Sequence, residues 1–348
     1  MSINEPKLSL LVRLLPWTHT LLISIKIFLL GLVLLHAGYS YAQVGGGLEG
    51  SVVALAIDPQ TSTTLYAGTG GGVYKSTDSG RQWTTMNVGL ADRNVEVVVI
   101  DPHTPTILYA GTYGGVFKSL DGGGSWTSIN TGLPANTHPY TLVVDPLTTI
   151  TLYMGSGDGV FKSSDGGKHW EAMNSGLADV KTTALSINPI TPTILYVGTL
   201  DRGVFQSTAG GKSWAATNIG LTNLQIRALA IALQAPQILY AGTGGGIFTS
   251  IDAGKHWTAC NNGFPITADI SALAIDPTNL QILYVGTDQG VLKSTNAGKQ
   301  WSISSKGLSD LTIEAFAVDP KTPSTLYAGT STGIVKSTNG GESWTPAK

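Results

Sequence analysis

From about residue 51 onward, apolar residues come in short runs separated by clusters of Gly, Asp, Asn, Pro and Ser. The first run, "VVALAID" (Val52–Asp58), alternates large side chains at Leu55 and Ile57 with small ones at Ala54 and Ala56. "TLYAGT" (Thr64–Thr69), "GVYKST" (Gly72–Thr77) and "WTTMN" (Trp83–Asn87) follow it. Period-two alternation with β-branched and aromatic content predicts four short strands. The segments between them, "DPQTST", a glycine run and "STDSGRQW", are turn signals. No segment shows helical periodicity.

This pattern repeats. Tryptophans at 83, 126, 170, 214, 257, 301 and 344 are spaced by 43 or 44 residues, a period that predicts propeller blades. Four-stranded units of this size can bury their apolar faces only against one another. The chain is therefore expected to be all-β, a seven-bladed β-propeller with four antiparallel strands per blade over residues 43–348. The blades fall at about 51–88, 94–131, 138–175, 181–218, 225–261, 269–305 and 313–348. The chain ends "WTPAK", level with Asn87, and "VGGGL" (Val44–Leu48) resembles the "VGL" that follows other fourth strands. The cut thus lies inside one connection between blades, and no strand is expected to be exchanged between the termini. Large and small residues on the first strands predict that neighbouring blades interlock there and that both faces of this strand are covered.

The phrase "STDSGRQW" at Ser76 returns as "SLDGGGSW", "SSDGGKHW", "STAGGKSW", "SIDAGKHW", "STNAGKQW" and "STNGGESW". It fills the turn between strands three and four. An Asp can accept backbone N–H groups across that turn, Gly can adopt positive φ, and Trp can cover the hairpin. Over all seven units the chain resembles the Asp-box (BNR) repeat family, and most of all its single seven-bladed propellers of the photosystem II assembly-factor type. Sialidases, sorting-receptor ectodomains and xyloglucan-cleaving hydrolases use related blades. The resemblance implies that Asp78, Asp121, Asp165, Asp252, Asn296 and Asn339 are structural. Ala209 keeps no acceptor, so the hairpin of blade 4 is expected to be looser. One carboxylate per phrase is far from the six to eight oxygens calcium takes, and no metal or other cofactor is expected.

Before the first blade, Lys7, Arg13 and Lys26 lead into an apolar run, Ile27–Leu35, and small residues at Ser40 and Ala42. This is the order of a secretory signal over residues 1–42, cleaved after Ala42. The alternative is an uncleaved membrane anchor, for which some fifteen residues interrupted by Lys26 fall short of the roughly 20 needed. The protein is therefore expected to be exported, periplasmic or extracellular, touching a membrane only through an uncleaved N-terminus or a membrane-protein partner. Without that segment the chain has 17 Lys and Arg against 21 Asp and Glu, and low charge density argues against nucleic acid. Cys260 is the only cysteine and reads as a buried spacer.

The seven copies can be compared with one another. The "DP" and eight-residue turns lie on one face and are nearly uniform. The turns between strands two and three, and the connections between blades, share the other face and vary. Just ahead of the first-strand alternation the copies read Val53, Glu96, Tyr140, Thr183, Arg227, Ser271 and Glu314, a ring at one mouth of the central channel. Nearby turns offer Tyr113, Asp158, Asp288 and, in a turn one residue longer in blade 4, Asp201 and Arg202. Connections between blades add Asp92, Arg93, His138, Asp179, Lys181, Asp269 and Asp310. This mixed polar and aromatic mouth predicts a binding surface for a protein complex or a glycan at the cell envelope.

Catalysis is the weaker expectation, and no catalytic residue is assigned. A sialidase needs three arginines on one carboxylate. Here Arg81 sits on the uniform face, while Arg93, Arg202 and Arg227 belong to different blades. A glycoside hydrolase remains open through Glu96 and Glu314, which flank Val53 and would stand far apart, as an inverting pair does.

Overall fold

A computed structural model describes residues 43–44, 47–177, 180–265 and 267–347. The signal segment, its cleavage site and Asp179 lie outside the described residues. Seven four-stranded antiparallel sheets follow one another, each from contiguous sequence. In blade 1 the strands are Val52–Ile57, Leu65–Thr69, Gly72–Ser76 and Thr84–Thr85. In blade 7 they are Ile313–Val318, Leu326–Thr330, Gly333–Ser337 and Thr345–Pro346. The described residues contain no helix.

The ring closes without strand exchange. Val44 pairs with Leu48 in a small hairpin, and Leu48, fully buried, packs between blades 1 and 7 where Leu90 or Leu177 stands elsewhere. Tyr327 of blade 7 donates its hydroxyl to Ser79 O of blade 1, as Tyr66 does to Gly122 O and Tyr284 to Gly340 O.

The core sits on the second strand, where all five positions are buried in every blade. Its glycine decides how closely blades approach. A Cβ on Gly198 would lie 2.4 Å from Ile226 Cγ2 of the next blade, and one on Gly329 would lie 2.3 Å from Val52 O across the closure. The first strand has a neighbouring blade on each face, as its alternation predicts, and what stays open is its edge on the channel. Leu55, Ile57, Ile231, Ile275 and Phe316 are only partly buried and line a cavity of about 390 Å³. Seven sheets set around an axis leave a channel, so the innermost strand has neighbours at its sides but none ahead of it.

The eight-residue turns are built alike. The first Ser, buried in every copy, accepts the N–H two and four residues on, as Ser163 does from Asp165 and Gly167. Asp78, Asp121, Asp165, Asp252, Asn296 and Asn339 each accept that Ser hydroxyl. Each also accepts the N–H of the residue before Trp. The blade 4 turn keeps its shape without the carboxylate: Ser207 still accepts Ala209 and Gly211 N–H, and Gly210 and Gly211 hold φ 64° and 87°, beside 69° and 90° at Gly122 and Gly123. The tryptophan does more than cover its own hairpin. In six blades its Nε1–H crosses to the preceding blade, as from Trp170 to Ile129 O at 2.7 Å. Cys260 packs among apolar residues of blades 5 and 6, and burial pushes its thiol up to about 12.

Candidate functional site at the channel mouth

Hydrogen bonds assign the turns to two faces. The eight-residue turns bond the "DP" turns, as Gly122 N to Thr106 O and Gly210 N to Thr193 O. On the opposite face the turns between strands two and three bond the connections between blades, as Tyr113 N to Asn94 O, Leu200 N to Lys181 O and Asp288 N to Asp269 O.

On that second face every blade carries the same irregularity. The register between strands one and two slips by one residue, between Val52 and Ala54 in blade 1 and at the equivalent place in the other six. The residue so skipped is Val53, Glu96, Tyr140, Thr183, Arg227, Ser271 or Glu314. A β-bulge leaves one residue unpaired and re-aims its side chain. The position before each bulge is buried against the preceding blade's glycine, so the bulge residue is held at its base and free at its tip. The sequence comparison found the variable position but not the bulge, whose only trace is a buried residue, a variable one and then a small one where strict alternation would run on.

The seven positions fall into two kinds. Thr183 donates to Ile226 O at 2.6 Å and Ser271 to Ile313 O, so these hydroxyls tie one blade to the next. Val53 offers no polar group. Glu96, Tyr140, Arg227 and Glu314 remain, and they gather in two places.

One is a cavity of about 330 Å³ lined by Arg227, Asp269, Ser271, Asp288, Thr312 and Glu314. Arg227 Nη2 lies 3.5 Å from Asp269 Oδ1, both side chains being substantially exposed, so the pair orients more than it stabilises. Asp288 accepts Asp269 N–H at 2.8 Å. Partial burial, then the charges of Asp310 and Glu96, raise the Glu314 carboxyl above the ordinary range. The Glu96 carboxylate of blade 2 thus acts on Glu314 of blade 7, on the far side of blade 1.

The other place joins blades 2 and 3. Tyr113, His138 and Tyr140 stand ring against ring, with centroids 4.1 Å and 4.6 Å apart, and Glu96 is beside Tyr113. Asp158 accepts the Thr137 hydroxyl at 3.4 Å in the same blade 3 loop region. Asp201 and Arg202 are exposed on the longer turn of blade 4 and line neither place. Among the described residues no three His, Cys, Asp or Glu side chains gather as metal ligands would.

A raised carboxyl has a testable sign. The stability a protonated Glu314 contributes is present below its unfolded pKa and is lost as pH rises through its higher folded value. Glu314→Gln should therefore melt higher than the parent near neutral pH, with the gap closing on acidification below the ordinary carboxylate range. Parallel melting curves across that pH span would contradict the assignment.

No protein-family profile matches the chain, and no curated protein matches it. Solved structures do match its fold. A GH74 xyloglucanase from Xanthomonas campestris superposes with a TM-score of 0.74 at 21% identity, over 88% of this chain and 55% of that one. YCF48 from Cyanidioschyzon merolae superposes with a TM-score of 0.64 at 13% identity, over 85% of this chain and 98% of that one. A structure of YCF48 bound to D1 peptide gives 0.65 at 14%, over 86% and 96%. The chain thus spans about half the length of the GH74 xyloglucanase and nearly the whole of YCF48.

Proposed function

We propose that this protein is an exported, non-catalytic propeller of the Asp-box kind that binds a partner protein through its channel-mouth face. The observation that carries the reading is the set of seven bulges, which fall at the same register in every blade while the bulge residues themselves diverge into Glu96, Tyr140, Arg227 and Glu314. A rigid ring that repeats its architecture and varies one aimed side chain per blade presents a fixed pattern of charge and aromatic surface, and rigidity lowers the entropic cost of binding. The match to YCF48 over nearly its whole length, in a structure holding a peptide, supports a single propeller acting alone in this way. The test is capture from the envelope fraction by the parent chain beside an Arg227→Ala/Glu314→Ala variant. Recovery of a defined partner should fall about tenfold or more in the variant, since loss of a charge-assisted contact costs on the order of 1.5–3 kcal/mol. Equal recovery, at equal melting temperature, would remove the mouth from the function.

A second reading is favoured by one observation, the Glu314 carboxyl raised by burial, with Asp310 and Glu96 adding to the shift. Two carboxyl groups, one of them raised by burial to serve as the acid, are what an inverting glycoside hydrolase uses. It requires turnover of aryl glycosides or xyloglucan oligosaccharides that both Glu96→Gln and Glu314→Gln abolish.

A further inference from the structure

The aromatic cluster between blades 2 and 3 has features that a solvated loop does not explain. Tyr113 and Tyr140 are 53% and 42% exposed, high for side chains this large. Each nonetheless packs its ring against that of His138, at tilts of 59° and 48°. His138 Nε2 is buried with no hydrogen-bond partner. Burial lowers the His138 pKa against the opposing pull of Glu96 and Asp92, so the ring is neutral near neutral pH. The two exposed tyrosines, packed on a neutral ring, then offer aromatic surface on which a cation can settle. The charges acting on both Tyr113 and His138 are carboxylates, Glu96 and Asp92. Tyr140 and Glu96 are bulge residues, so both are aimed from a fixed base.

We propose that Tyr113, His138 and Tyr140, with Glu96 beside Tyr113, form a receptor for an arginine side chain of the partner protein. This rests on the protein-binding reading above and names the chemistry of its contact. A planar guanidinium stacks on an aromatic face while its edge meets a carboxylate in a two-point contact, which a compact ammonium or a neutral sugar cannot reproduce. The acidic rim would also attract a basic segment from solution.

The probe is a short fluorescent Gly/Ser peptide with one central arginine, compared with the same peptide carrying citrulline, the neutral isostere. With the purified protein, anisotropy should show the arginine peptide binding about tenfold more tightly, the size of a partly desolvated cation–π contact with a carboxylate beside it. Tyr140→Ala and Tyr113→Ala should each erase most of that preference, Tyr140→Phe should keep it, and Glu96→Gln should weaken it. Both tyrosines are exposed, so melting temperatures should not move. Equal binding of arginine and citrulline peptides, or no binding of either, overturns the receptor. So does stacking of a xyloglucan oligosaccharide that Tyr140→Ala abolishes while the arginine peptide is ignored. Partner capture distinguishes the two levels: loss in Arg227→Ala/Glu314→Ala but not in Tyr113→Ala/Tyr140→Ala defeats the arginine receptor alone, whereas loss in neither defeats the binding face.

Discussion

Trp170→Ala should destabilise the propeller by about 3–5 kcal/mol, the range for truncating a buried aromatic, and Trp83→Ala by clearly less. The two residues hold the same place in the repeat but not in the ring. Trp170 is 1% exposed, packs with Tyr109, Val116, Leu142 and Leu152 across two blades, and bonds Ile129 O. Its own N–H bonds Thr131 O, and its carbonyl occupies the space a Cβ on Gly132 would fill. Trp83 stands at the closure between blades 7 and 1. It is only partly buried, and its Nε1–H turns back to Gly80 O in its own turn. Removing Trp170 opens a cavity between two blades and leaves Ile129 O short of a donor, whereas removing Trp83 opens a site water already reaches. Urea unfolding with the m-value monitored separates them, because an unchanged m with a lower midpoint reports stability alone. Equal losses would mean that the tryptophan serves its own hairpin, and the account of blade contacts would fail.

That contrast marks what the sequence could and could not say. The number of units, the strand order and the assignment of turns to faces follow from a period that any reader can count. Which neighbour a side chain touches does not. Ile129 and Trp214 both lie about one repeat from Trp170, and spacing alone cannot choose between the blade before and the blade after. The burial gradient was hidden for a related reason. The alternating first strand looks like an interlocking layer, and the short "LYAGT" run looks ordinary. Yet the second strand has sheet neighbours on both sides and blades on both faces, while the first has an open channel before it. At the mouth, Tyr113 and His138 were visible as separate loop residues of the variable face and Tyr140 as one position of the mouth ring. Their contact depends on a bulge and a turn meeting across two blades, and no local pattern encodes that. The pairing of Arg227 and Glu314 in one cavity was closer to the surface of the sequence, because both occupy the single position whose divergence the repeats display.

The same comparison of copies assigns the eight-residue turn to its serine rather than to its Asp. All seven copies keep Ser, and one has already lost the carboxylate. In blade 4, Ser207 accepts Ala209 and Gly211 N–H at 3.2 Å and 3.0 Å, and Trp214 still reaches Met173 O at 2.8 Å. Ser163 makes the same two acceptances, at 3.4 Å and 2.8 Å, from a site that is 1% exposed. Ser163→Ala strands the buried Gly167 N–H with no water to replace the hydroxyl, a loss of about 1–3 kcal/mol. Asp165→Ala strands His169 N–H at an exposed place, where water substitutes, so it should cost less. The pH dependence distinguishes them further. The hydrogen bond from His169 N–H, followed by that from Ser163, holds the Asp165 carboxyl below its usual range. Its contribution is thus present above the unfolded pKa and lost as pH falls through the folded one. Parent and Asp165→Ala should converge in acid, while the deficit of Ser163→Ala should shrink only by what its hydroxyl gives the Asp165 carboxylate and otherwise persist, because the stranded Gly167 N–H does not titrate. A larger loss for Asp165→Ala at neutral pH would return the carboxylate to the centre of the turn and leave the intact fold of blade 4 without a cause.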